Sequence, residues 1–169
     1  VIDKTISAMG GRMLKRWLAL PLKNAEKIKQ RHEVVKYLLE NESVLQKIQG
    51  QIKHIGDIER LISKVATIKV SPREVIQLKN SLEAIVPIKS IAETCENEAL
   101  EILGDNLHRC DLLREKIKET LNEEAPVNIL KGNTIAEGFS PELDELRSLS
   151  QSGKTYLDTM LKRESERTG

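Results

Sequence analysis

Aromatic side chains are nearly missing from this chain: one Trp, one Phe and two Tyr make up 2% of its 169 residues. Trp17, Tyr37, Phe139 and Tyr156 are scattered, so the stacking platform of a single-strand nucleic-acid binder has nothing to be built from. Cysteine is as scarce. Cys95 and Cys110 stand alone without a CxxC spacing, which argues against a disulfide framework or a zinc site and for the reduced thiols of a cytoplasmic protein. No apolar run approaches the roughly 20 residues of a membrane span, and no signal peptide is recognisable. Neither sign of charge dominates, since 27 Lys and Arg face 26 Asp and Glu for a net +1. The pI near 7.9 lies below the ~9 that marks a dedicated nucleic-acid binder.

What remains is rich in Leu, Ile, Lys and Glu, with 31% charged and 39% apolar residues. That is the composition of helices rather than of sandwiches or barrels. The length suits one domain or one elongated module. Charge is unevenly spread along it. Nine Lys and Arg (Lys4, Arg12, Lys15, Arg16, Lys23, Lys27, Lys29, Arg31, Lys36) stand against Asp3, Glu26 and Glu33 up to Lys36, whereas ten acidic residues outnumber four basic ones from Glu93 to Glu124. Solvated helix faces, or two faces that meet each other, account for this most simply. A basic surface for an acidic partner or a phosphate backbone is the functional alternative.

Helix signals run through almost the whole chain. Thr5 or Ser7 can cap a first helix through Met13, Leu14, Trp17 and Leu18, with Gly10-Gly11 weakening its first turn unless something packs close. A second helix is predicted after Asn24, carrying Ile28, Val35, Leu38 and Leu39, with His32 at the edge of its apolar stripe. Asn41 or Glu42 breaks it, and Val44, Leu45, Ile48, Ile52 and Ile55 continue in a third. Asp57 opens a fourth. Ser71-Pro72-Arg73-Glu74 is a capping box with Pro at the first helical position, and Val70 with Val75 can close a hydrophobic staple. In the helix that follows, Leu78, Leu82, Ile85 and Ile88 share a side, and Pro87 predicts a kink. Shorter helices are expected over Glu96–Leu103 and Asp111–Leu121. Two apolar runs around Lys131-Gly132-Asn133 predict a small β-hairpin over 127–136.

The last stretch carries the strongest pattern. Ser140 can cap, Pro141 fits the first helical position, and Glu142 complements the helix dipole. Leu143, Leu146, Leu149, Gly153, Leu157 and Met160 then mark one stripe at helical spacing. A helix from Pro141 to Arg167 would be roughly 40 Å long, a strut. Because the chain opens on Val1 and this pattern runs to Gly169, the sequence reads as a piece of a larger protein. Chemistry is sparse by comparison. His54 and Asp57, three apart, make two ligands without a third. No Ser, Cys or Lys has the context of an activated nucleophile, and neither GxGxxG nor GxxxxGK(S/T) occurs. No catalytic, cofactor-binding or metal residue is assigned, and the chain is not expected to be an enzyme.

Four ordered blocks carry a resemblance. Thr5-Ile6-Ser7-Ala8-Met9-Gly10-Gly11-Arg12-Met13-Leu14-Lys15-Arg16-Trp17-Leu18-Ala19-Leu20-Pro21-Leu22 closely resembles the entry to the core, or lever, domain (domain III) of the MutS family of DNA mismatch-repair proteins. Gly56-Asp57-Ile58-Glu59-Arg60-Leu61, Ser71-Pro72-Arg73-Glu74 and Gly138-Phe139-Ser140-Pro141-Glu142-Leu143-Asp144-Glu145-Leu146-Arg147 follow in the family's order. Arg163-Glu164-Ser165-Glu166-Arg167-Thr168-Gly169 resembles the lead into the clamp domain. The resemblance implies an all-α, elongated core over 1–139, including the hairpin at 127–136, and a lever helix over 140–169. It also implies a bacterial cytoplasmic protein whose full-length form binds ATP and magnesium and encloses mismatched double-stranded DNA as a dimer with a second MutS subunit. A MutL-type partner is implied as well, and no membrane. The family's Phe-x-Glu mismatch reader and Walker A loop are absent from these residues, and the returning lever that follows the clamp is not among them. The function implied is coupling of ATPase state to the DNA clamp. The competing reading is a helical module of a MutS paralogue that makes non-specific DNA or protein contacts, with Arg12, Lys15 and Arg16 as the DNA-facing cations.

Overall fold

Side-chain caps set where the helices start. Ser7 accepts the Gly10 N–H at 3.1 Å and opens α1 (Ala8–Ala19), and Asn24 accepts the Lys27 N–H at 3.0 Å and opens α2 (Ala25–Glu40). Asn41 ends α2 by donating both its backbone and side-chain N–H to the Tyr37 carbonyl, and it also precedes α3 (Glu42–Ile52). Asp57 caps α4 (Ile58–Ala66). Ser71 and Glu74 form the reciprocal capping box at the head of α5 (Pro72–Glu93), which runs on through Pro87. Asn97 caps α6 (Glu98–Asp105). Cys110, in the left-handed region with φ 51°, leads into α7 (Asp111–Thr120). The last helix is α8 (Pro141–Thr168). This computed structural model describes residues 2–168, and among the described residues the architecture is all-α.

The spine is α5, against which α3, α4, α6 and α7 all pack, while α2 packs on α3 and α6. Two small cores flank the spine. Leu78 and Leu82 meet Leu61 of α4, with Ile58, Ile85 and Cys110 around them. Ile76 meets Ile117 of α7 and Ala125, with Val75 and Leu121 alongside. Polar groups stitch the same helix to its neighbours. Ser81, 1% exposed, donates to the Gln77 carbonyl at 2.7 Å and accepts the Gly56 N–H at 3.0 Å, which fixes the turn before α4. Lys79 is also buried, and its ammonium satisfies itself on two exposed carboxylates, Glu83 at 3.7 Å and Glu123. At the far end α6 crosses α5 so closely that a Cβ on Gly104 would lie 2.5 Å from that of Ala92.

The β-hairpin expected at 127–136 is not formed. Asn128 accepts the Leu130 N–H at 2.9 Å and starts a 3-10 turn over Ile129–Lys131, so the first arm curls instead of extending. Val127, Ile129 and Leu130 are left exposed. The second arm does find a partner, but one further back in the chain. Asn122 donates to the Thr134 carbonyl at 2.9 Å and Ala136 to that of Thr120 at 3.0 Å, making a single antiparallel bridge between Leu121 and Ile135. Short apolar runs either side of a Gly look alike whether they pair with each other or with a third segment, and here the end of α7 wins.

Candidate functional site

The feature that stands apart from ordinary packing is α8, and its root is built from a short run of bonds. Gly138, at φ 82°, turns the chain and donates its N–H to Asp144 Oδ2 at 2.7 Å. Asp144 Oδ1 accepts from Arg147 Nη1 at 3.1 Å, and Arg147 Nη2 reaches back to the Ile135 carbonyl at 2.8 Å. Ile135 is the residue bridged to Leu121, so the guanidinium ties the second turn of α8 to the end of α7. Ser140 caps the helix by accepting the Leu143 N–H at 3.3 Å. Its hydroxyl donates to Glu142 at 3.0 Å; the Glu142 backbone N–H first, and that hydroxyl second, hold the Glu142 carboxyl below its ordinary range. Lys116 of α7 lies 5.7 Å from the centre of the Phe139 ring. Past Arg147 the character changes. Every side chain from Ser148 to Arg167 is exposed, including Leu149, Leu157 and Met160 of the predicted stripe, and Tyr156 beside them.

A second constellation joins the start of the chain to α4. Arg12 Nη1 and Nη2 donate to the two carboxylate oxygens of Asp57 at 2.8 and 2.7 Å, and Nε donates to Glu59 at 3.0 Å. This bidentate fork is the strong form of an ion pair. It raises the Arg12 pKa and is the largest of the causes that pull the Asp57 carboxyl down to about 2. Asp57 also caps α4 through the Arg60 N–H at 3.3 Å. His54, placed with Asp57 by spacing, lies instead in the turn after α3, and both Asp57 oxygens are occupied by Arg12. Nothing in local sequence signals the Arg12 tie, because its partners lie 45 and 47 residues away.

A family model described as MutS domain III matches residues 1–167. This chain belongs to the MutS domain III family. Proteins named DNA mismatch repair protein MutS are similar to it across its full length. That of Christiangramia forsetii is 66% identical over all of this chain and 19% of its own length. That of Flavobacterium psychrophilum is 65% identical over all of this chain and 20% of its own length, and that of Bacteroides fragilis 47% over the same shares. The domain therefore spans about a fifth of the length of the curated relatives it matches. Two of the sequence blocks that carried the resemblance, around Arg12 and around Asp57-Ile58-Glu59, prove to be two halves of one ion-pair cluster in domain III. No described helix of this domain III is long and apolar enough to cross a membrane.

The depressed carboxyls of domain III carry a pH prediction. Lys64, and after it the Ser71 N–H, lower Glu74 to about 2, alongside Asp57. Each folded pKa lies below its unfolded value, so the stability each contributes is present above the unfolded value and lost as pH falls through the folded one. Resistance to urea is expected to be flat above pH ~4.5 and to fall between there and pH ~2. Asp57→Asn should shed part of that acid dependence while keeping a cap. An unchanged acid limb in that variant would show that the Arg12 pairing does not contribute.

Proposed function

We propose that this domain serves DNA mismatch repair as a core and lever, coupling the nucleotide state of an ATPase domain to a DNA clamp at the far end of α8. The observation that supports this reading is the form of α8 itself: 28 residues, roughly 40 Å, held by several directed bonds at one end and fully exposed beyond its second turn. A stiff rod gripped at its root turns a small rotation there into a large displacement at its tip. On this reading the domain holds no catalytic, cofactor or metal residue of its own. ATP and magnesium bind elsewhere in the full-length protein, which works in the bacterial cytoplasm on mismatched duplex DNA with a second MutS subunit and a MutL-type partner. The exposed stripe of Leu149, Leu157 and Met160 is where the returning lever would lie.

A Gly-Gly pair placed at Leu149-Ser150 in a full-length MutS tests the coupling. Each Gly weakens an exposed helix interior by up to about 1 kcal/mol, which interrupts the rod without touching its root. ATP-dependent sliding-clamp formation on mismatched DNA should be lost while ATP hydrolysis persists, and unimpaired clamp formation would sink the proposal. The competing DNA-contact reading loses one of its three cations, because Arg12 is already held by Asp57 and Glu59.

A further inference from the structure

The apolar face of α1 has no helix to lie against. None of the residues of α1 or α2 is buried, and α1 has no extensive packing partner among the described helices. It is held instead by the Arg12 fork and by Arg31 of α2, whose guanidinium carbon sits 3.6 Å from the centre of the Trp17 ring. Two adjoining clefts between α1, α2, α4 and α6 share a wall of Trp17, Leu22 and Arg31 and together make an open channel divided at that wall. Its floor is apolar and open to solvent: Met13 is 54% exposed, Leu20 70%, Val35 55%, Leu103 54%. Contiguous exposed apolar surface with a polar edge marks an interaction site, and Trp and Arg are among the residues enriched at the centre of one.

Charge along the channel is one-sided. Arg16, Lys27 and Arg31 line it, and none of the three is in an ion pair among the described residues. Glu59 is the one carboxylate on its walls, and Arg12 already holds it. An aliphatic floor flanked by Arg16 and Lys27, with Arg31 stacked on Trp17 between them, complements an apolar ridge flanked by carboxylates. We propose that this channel is the seat of an acidic amphipathic helix, supplied by the part of a full-length MutS protein that lies outside the domain. The helix-in-groove geometry supplies the recognition. The relatives have about four fifths of their length outside the matched region, so the same polypeptide has ample chain to provide it. This surface lies on a different helix from the lever, and the inference stands or falls independently of the lever reading.

Trp17 is the single Trp of the chain, so its emission reports on the channel alone. The probe is an 18-residue synthetic helix with Leu at helical spacing on one face and Glu elsewhere, compared with the same peptide carrying Lys for Glu. A saturable blue shift with the Glu peptide and none with the Lys peptide is expected. The double substitution Arg16→Glu with Lys27→Glu, checked for unchanged helicity by circular dichroism, should weaken binding by about tenfold or more. Equal response to both peptides, or no saturable shift, overturns the proposal. So does a blue shift that grows with protein concentration alone, which would make a second copy the occupant, or one produced by duplex DNA in place of the peptide. To test the source, fluorescein-labelled Glu peptide is titrated into a full-length MutS relative 66% identical to this chain. Affinity at least about tenfold below that of the isolated domain is expected, because the seat is filled, and equal affinity overturns the intramolecular source.

Discussion

Gly104→Ala is expected to destabilise the domain by about 2 kcal/mol, against the sign that helix propensity alone predicts. In an open helix interior the same change stabilises by up to about 1 kcal/mol. Here the added Cβ would stand 2.5 Å from the Cβ of Ala92, itself 2% exposed and fixed to the backbone of α5. Neither atom can swing aside, because each is attached directly to a helix. Sliding α6 to relieve the contact would also disturb the 2.9 Å bond that Lys89 Nζ donates to the Gly104 carbonyl. Ala92→Gly in the same chain should recover most of the loss, and urea unfolding of the four combinations measures the coupling. If Gly104→Ala is as stable as the parent, the two helices do not cross that closely.

Ile117→Ala should cost about 3 kcal/mol, the range for emptying a buried aliphatic site. Its second effect is more specific. Ile117 belongs to the core with Ile76 and Ala125, and the last turn of α7 beyond it holds residues 134–136, which in turn accept Arg147. Loosening that core should therefore loosen the root of α8. Native-state hydrogen exchange can see this through the Asn122 and Ala136 amides, which bond to Thr134 and Thr120. In Ile117→Ala they should open well below the global unfolding free energy. Leu82→Ala, in the other core, should cost a similar amount yet leave those amides protected until the whole domain unfolds. Equal behaviour of the two variants would mean that the root of α8 is not set by the Ile117 core.

Most helix starts were legible in the sequence because their chemistry is local. A hydroxyl, carboxamide or carboxylate oxygen that accepts an N–H three residues on needs no tertiary partner, so Ser7, Asn24, Asp57, Ser71 and Ser140 could each be read in place. The length of α8 was legible for the same reason. Contacts across many residues were not. Arg12 looks like one more cation of a basic segment until α4 is folded against it, and Arg147 like one more surface arginine until Ile135 arrives. Lys79 gives no hint of burial, because its satisfaction depends on Glu123, which lies 44 residues away. The misread hairpin belongs to the same class, since the second arm's partner lay at the end of α7 rather than next door.

The exposure of residues 148–167 has a thermal consequence. That stretch buries nothing, so its helix–coil equilibrium is not tied to the cooperative melting of the two cores. A helical segment with no packed face is held by local bonds alone and loses helix as temperature rises. A neighbour laid along Leu149, Tyr156, Leu157 and Met160 would add the missing burial and shift that equilibrium toward full helix. Rigidity in α8 would then be raised by such a neighbour, greatest while it is docked.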